Sequence, residues 1–246
     1  MVMLQVNDQM FPNIEAIIFD KDGTLANTEA YLVQLGLKRS RLVDAQVPGV
    51  QEPLQMAFGL EQDRVNPAGI LAVASRRDTE AVTAGFIAET GRPWIESLNL
   101  AQSAFTEAAD YLSPQCEYTP LVDGVSAMLN SLSQASLKLA ILSSDTTENV
   151  GEFIDHHRLN EQIHTGWGEQ KTFKKPDPQL LVSLCAQLQV EPERTVMVGD
   201  SDADIQMAIA AGITAIGVTW GWQTPIQLPQ ATVEISHPSQ LQVVTP

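Results

Sequence analysis

A chain of 246 residues has room for one large domain or for a core that carries a smaller insert, and 44% hydrophobic against 18% charged residues excludes a disordered or low-complexity protein. The formal charge of −16 argues against nonspecific binding to nucleic acid or anionic membrane, which require a positive surface. An anionic ligand would need a local device: a metal ion, a few lysines, backbone N–H groups.

No apolar run approaches the ~20 residues that cross a bilayer, and the stretch from Met1 to Asn13 lacks the basic and apolar segments of a signal peptide. Cys116 and Cys185 lie far apart with no C-x-x-C spacing. A cytoplasmic protein with two reduced thiols is therefore expected.

Glu15 to Phe19 is a short apolar block that stops at Asp20-Lys21-Asp22-Gly23, the pattern of a fully buried strand running into a polar loop. From about Ala30 to Leu112 no second buried strand is found. Helix-like segments rich in Ala, Leu, Gln and Glu follow one another, punctuated by Pro48-Gly49, Pro53, Pro67 to Gly69 and Gly91-Arg92-Pro93. This interval, 29–112, is predicted to be an all-helical cap inserted over the strand ends, where it excludes water and selects the substrate; 1–28 and 113–246 form the core.

Val122 to Gln134 then shows helical spacing, and Leu137 to Leu142 is a strand ending at Ser143-Ser144-Asp145. The leucines of Gln179 to Leu188 mark another helix. Two further strands follow: Thr195 to Val198, which ends at Gly199-Asp200-Ser201-Asp202, and Thr214 to Val218, which ends at Thr219-Trp220-Gly221. Alternating strands and helices predict the α/β class, a Rossmann-like parallel sheet covered on both faces. The ligand site of such a sheet lies outside the carboxyl ends of its strands, where the polar loops converge.

Phosphoryl transfer asks for positioning and charge neutralisation: a nucleophile in line, a divalent cation, donors around the phosphoryl oxygens and a proton for the leaving group. Asp20 and Asp22, two apart at a strand end with Gly23 to turn the chain, can face one cleft as nucleophile and acid. Asp200 and Asp204, four apart, offer oxygens suited to Mg2+, while capping of the following helix falls to Ser201 or Asp202 and is assigned to Asp202. Ser143 and Ser144 offer a hydroxyl and an N–H to a phosphoryl oxygen. In Lys174-Lys175-Pro176-Asp177-Pro178, the lysine before Pro176 can neutralise both phosphate and Asp20. Alone, each motif reads as an ordinary turn, cap or solvated loop; their order along the chain gives them weight.

Asp20-Lys-Asp22-Gly-Thr24, Ser143, Lys175-Pro176 and Gly199-Asp200-Ser-Asp-Ala-Asp204 resemble, in order, the motifs of the haloacid dehalogenase superfamily, in its branch with a helical cap after the first motif. The likeness runs from Ile14 to about Trp220. It implies Asp20 as nucleophile, Asp22 as acid and then base, Ser143 and Lys175 as phosphate ligands, and Mg2+ held by Asp20, the main-chain carbonyl of Asp22 and Asp200, with Asp204 bound to the metal or just behind it. Family members often carry Gly where Lys174 stands, so Lys174 and Lys175 can exchange roles; many carry Asn where Ser144 stands.

These implications point to a hydrolase for a small phosphorylated metabolite, phosphoglycolate being one example, with a phosphoaspartyl intermediate. A hexose-phosphate mutase with the same residues is the nearest alternative. A non-catalytic phosphoacceptor module is another, set apart by Asp22 and the insert. Dehalogenation is disfavoured because Asp22 occupies a position where that reaction needs no acid. In the cap, Arg76 and Arg77 can reach a carboxylate or second phosphate. The four histidines pair at no metal spacing, and Trp220 and Trp222 are assigned to packing. Oligomeric state is left open.

Overall fold

The computed structural model describes residues 2–170 and 172–244. The chain forms two compact units, one of Met1–Asn27 with Pro120–Pro246 and one of Thr28–Thr119. The first opens with an antiparallel hairpin, β1 (Val2–Val6) and β2 (Gln9–Ile14), followed by β3 (Ala16–Phe19).

The second unit holds α1 (Glu29–Asp44), α2 (Gln51–Phe58), β4 (Leu60–Glu61), β5 (Arg64–Val65), α3 (Ile70–Val73), α4 (Arg76–Glu89) and α5 (Trp94–Tyr111). Its core includes Leu54, Phe58, Ala84, Ile87, Ala101 and Phe105, with the Phe58 and Phe105 rings edge to face at 6.3 Å. The short β4–β5 ribbon accompanies the helices expected there. This unit continues past Leu112 because Tyr118, after the 3-10 turn Gln115–Glu117, lies against Tyr31 of α1 with ring centroids 6.4 Å apart.

The chain then returns to the first unit through α6 (Val125–Gln134), β6 (Lys138–Leu142), α7 (Thr147–His156), β7 (Ile163–Trp167), α8 (Gln179–Leu188), β8 (Thr195–Gly199), α9 (Asp202–Ala210), β9 (Thr214–Val218), β10 (Val233–Ile235) and β11 (Leu241–Val244). Six of these strands form one parallel sheet in the order β10-β9-β8-β3-β6-β7, and β11-β1-β2 form a separate small sheet. Alternation along each strand sends side chains to opposite faces. Ile17, Phe19, Leu139, Ile141, Val196 and Val198 pack with α6, α7 and the small sheet, while Ala16, Ile18, Ala140, Leu142 and Met197 pack with α8 and α9. A sheet covered on both faces explains why its inner strands read as unbroken apolar runs.

The strand order reverses at β3: the chain proceeds from β3 to β6 and β7 on one side, then crosses to β8, β9 and β10 on the other. That reversal opens a crevice at the carboxyl ends of β3, β6 and β8. Cys116 and Cys185 are both buried, and neither is in a disulfide. No helix among the described residues is long and apolar enough to cross a membrane.

Candidate active site

Phe19 pairs with Val198 on one side and Ile141 on the other, so Asp20, Asp200 and Ser143 leave the sheet at nearly one level. The Asp20 N–H extends the ladder by donating to the Val198 carbonyl at 2.9 Å. The chain then folds back tightly, with the N–H groups of Leu25 and Ala26 both donating to the Lys21 carbonyl at 2.9 Å. Gly23 adopts φ +82°, and a Cβ there would overlap the Asp200 carboxylate; only glycine combines that conformation with that approach.

Three buried carboxylates meet at this point. Asp20, Asp200 and Asp204 offer oxygens that all lie within 4.8 Å of one another. Lys175 enters from the loop before α8, and its Nζ donates to Asp20 Oδ1 at 2.5 Å and to Asp204 Oδ1 at 2.7 Å. Asp200 is fixed from both sides, accepting from Thr24 Oγ1 at 2.9 Å and from the Trp222 indole N–H at 2.6 Å. Asp204 Oδ2 accepts from the Ser201 hydroxyl at 2.7 Å, and the Ser201 side chain and the Asp204 carboxylate form a reciprocal capping box at the start of α9.

One ammonium among three buried carboxylates leaves the cluster short of positive charge. Burial raises Asp20, Lys175 opposes it, and Asp204 and Asp22 add to it, so that Asp20 is pushed up to about 7. Asp200 is raised well above the usual carboxylate range by burial and by Asp20 and Asp204, against the bonds from Trp222 and Thr24. Burial works against the charge of Lys175, and the Asp20 and Asp204 carboxylates more than offset it. Three carboxylates crowded this closely around one ammonium offer an all-oxygen donor set that suits a hard divalent cation.

A second charged group lies on the other side of the same turn. Lys21, with 1% of its side chain exposed, pairs through Nζ with Asp22 Oδ1 at 2.8 Å and Asp145 Oδ2 at 3.0 Å. It sits 5.7 Å from the centre of the Phe153 ring. Asp145 Oδ1 in turn accepts from the Thr146 N–H at 2.8 Å and the Asn149 amide at 2.7 Å. Burial works to raise Asp145, yet Lys21 and these bonds hold it below the usual carboxylate range. Asp22 is raised by burial, with Lys21 opposing. Ser143 is buried, and its Oγ accepts from the Asp145 N–H at 3.1 Å; Ser144 is half-buried beside it.

Several residues differ from the sequence expectation. Ser201, not Asp202, caps α9, and Asp202 is exposed: the shorter Ser side chain at the extended N-cap position reaches the Asp204 N–H. Lys174 is exposed, and it is Lys175 that pairs with Asp20. Trp222, assigned to packing, also donates to Asp200. Arg76 is tied within its own unit to Glu80 at 2.7 Å and Thr106 at 2.8 Å, and Arg77 is exposed beside it at the start of α4.

The sequence reading assigns no role to the bond from Thr24 to Asp200 or to the pairing of Lys21 with Asp145. A lysine between two strand-end carboxylates is the one local signal that bore on them, since alternation turns Lys21 away from Asp20 toward the α7 side.

The family profile of haloacid dehalogenase-like hydrolases matches residues 14–212. A phosphoglycolate phosphatase of Pseudomonas putida is 29% identical over 126 residues, a match that spans 50% of this chain and 46% of that protein. The N-acetylmuramic acid 6-phosphate phosphatase of Pseudomonas aeruginosa is 24% identical over 93% of each chain. Among solved structures, that of a predicted phosphoglycolate phosphatase from Haemophilus somnus superposes with a TM-score of 0.67 at 20% identity, covering 91% of this chain and 95% of that one; at that identity it speaks for the fold. The α/β sheet with its switch at β3 and a profile match across most of the chain agree, and the protein is an enzyme of the haloacid dehalogenase-like hydrolase family.

Proposed function

We propose that the protein hydrolyses a small organic phosphomonoester with Mg2+ as cofactor and Asp20 as nucleophile. The single observation that carries this reading is the bridge from Lys175 to Asp20 and Asp204 within reach of Asp200, which joins motifs from distant parts of the chain around one carboxylate. Asp20, Asp200, Asp204 and the Asp22 carbonyl would hold Mg2+, which would supply the positive charge that the cluster lacks and neutralise the phosphoryl oxygens.

The chain's own residues do the rest. Lys175 orients Asp20, whose carboxylate oxygen forms a bond to phosphorus while the ester P–O bond breaks, and Asp22 gives its proton to the departing oxygen. Ser143 and the N–H of Ser144 hold phosphoryl oxygens. Water then attacks the phosphorus of the aspartyl phosphate, Asp22 takes its proton, and Asp20 is restored as inorganic phosphate leaves. Arg77 is the specificity candidate of the arginine pair in the insert, since Arg76 is already engaged.

The names of the relatives, which include phosphatases of phosphoglycolate and of an amino-sugar 6-phosphate, support the class of small phosphorylated metabolites. A panel of such esters, with Mg2+ present or chelated, tests the reading. Release of phosphate from at least one, lost on chelation and restored by Mg2+, is expected; hydrolysis indifferent to chelation would contradict it.

A further inference from the structure

Lys21 and Asp145 take no part in the steps above, yet both are ionic groups withdrawn from water. Charges are kept in such places only when well paired. One carboxylate would have neutralised Lys21; two are supplied, and the second is anchored. Asp145 accepts from Thr146 N–H and Asn149 in the first turn of α7, and the Phe153 ring of that helix lies against the Lys21 ammonium. The contacts form a line from a rigid helix end through Asp145 and Lys21 to Asp22.

Lys21 Nζ occupies Asp22 Oδ1, and a carboxyl oxygen that accepts from an ammonium is not the one that presents a proton to an ester. We infer that Lys21, held in place by Asp145, is a positioning residue that fixes the rotamer of Asp22 and leaves Oδ2 as the oxygen directed at the leaving group. This rests on the acid role given to Asp22 above. Asp22 has 22% of its side chain exposed, so without the clamp it would be free to turn toward solvent and the donor would lose its alignment.

The test compares an aryl ester, para-nitrophenyl phosphate, with an alkyl ester, glycerol phosphate, at saturating Mg2+. An aryl leaving group needs little help from an acid, whereas an alkyl one draws on the ~10²- to 10⁴-fold that such catalysis provides. Lys21→Met and Asp145→Asn are each expected to lose at least about tenfold more kcat on the alkyl than on the aryl ester, and neither should widen that ratio further in an Asp22→Asn background. Equal losses on both esters, together with a lowered Tm, would reduce Lys21 to a structural tie and overturn the inference.

Should Lys21→Met fail to fold, the nearly isosteric Asp145→Asn decides the matter by the same ratio. If the wild type hydrolyses neither these esters nor any of the metabolite panel, or Asp22→Asn loses both equally, the proposed function itself falls and takes this inference with it. If Asp22→Asn discriminates between the esters while the Lys21 and Asp145 variants do not, only the clamp is wrong.

Discussion

The two charged clusters that flank the Asp20-Lys21-Asp22 turn are balanced differently. On the side of α8 and α9, one lysine meets three buried carboxylates; on the side of α7, one lysine meets two, both exposed to solvent over part of their surface. The first is short of positive charge and is suited to take up a cation. The second has a single carboxylate in excess, and that one, Asp145, is tied to the first turn of α7 by Thr146 and Asn149, which suits a fixed scaffold. The same physical device, a buried ammonium between carboxylates, thus yields a binding site in one place and a clamp in the other, and the count of carboxylates decides which.

Asp20→Asn should break the first cluster at its centre. Turnover is expected to fall by at least ~10³-fold, because an amide is a poor nucleophile, while the circular dichroism spectrum is kept and Tm is not lowered, since one of several crowded charges is gone. Activity retained with normal Mg2+ dependence would reject the assignment.

Lys175→Met comes next, since it leaves the carboxylates without their resident cation. A loss on the order of 3–5 kcal/mol of stability is expected in chelator, recovered in part by Mg2+ and read from urea unfolding. No change would show that Lys175 contributes little to holding the cluster.

The pH dependence of stability sharpens the contrast between the clusters. Asp20 stands at about 7 folded against 3.8 as its ordinary value, and Asp200 is raised as well. Between those values the folded state keeps protons that the unfolded chain releases, so metal-free stability should fall as pH rises from about 5 to 8, by a few kcal/mol. Mg2+ should flatten the slope, and Asp20→Asn should reduce it in chelator. In the other cluster, Asp145 is lowered and stabilises above its ordinary value, a contribution lost only on strong acidification. Lys21 is raised and stabilises until high alkaline pH. Asp22 is raised by burial and acts with the same sign as Asp20. A metal-free Tm that is flat from pH 5 to 8 would contradict the account.

The smallest effect is expected for Trp222→Phe, which removes one hydrogen bond from Asp200 and keeps most of the packing. Mg2+ affinity measured by calorimetry should weaken by roughly tenfold, with kcat largely recovered at saturating Mg2+. Unchanged affinity would return Trp222 to a packing role.

Legibility in the sequence followed burial. The runs ending at Phe19, Leu142, Val198 and Val218 could be read because strands covered on both faces are apolar throughout, and each ends where its polar loop begins. Edge and hairpin strands carried no such run: Ile163–Trp167 is mostly half-buried and interrupted by His164 and Gly166, Val233–Ile235 is only three residues long, and Gln9–Ile14 is largely exposed and contains Pro12. The principal carboxylates and Lys175 lie inside recognisable local motifs. The contacts of Lys21 with Asp145 and of Trp222 with Asp200 join loops far apart in the chain, so they depend on which strands become neighbours, and local spacing does not encode that.

Reductive trapping during turnover tests the central claim most directly. Borohydride converts an aspartyl phosphate to homoserine, and peptide mapping after quenching with substrate and Mg2+ should find that change at Asp20 and at no other aspartate, and not when substrate or Mg2+ is omitted. Turnover without modification at Asp20, or with modification at Asp200 or Asp22 instead, would contradict it.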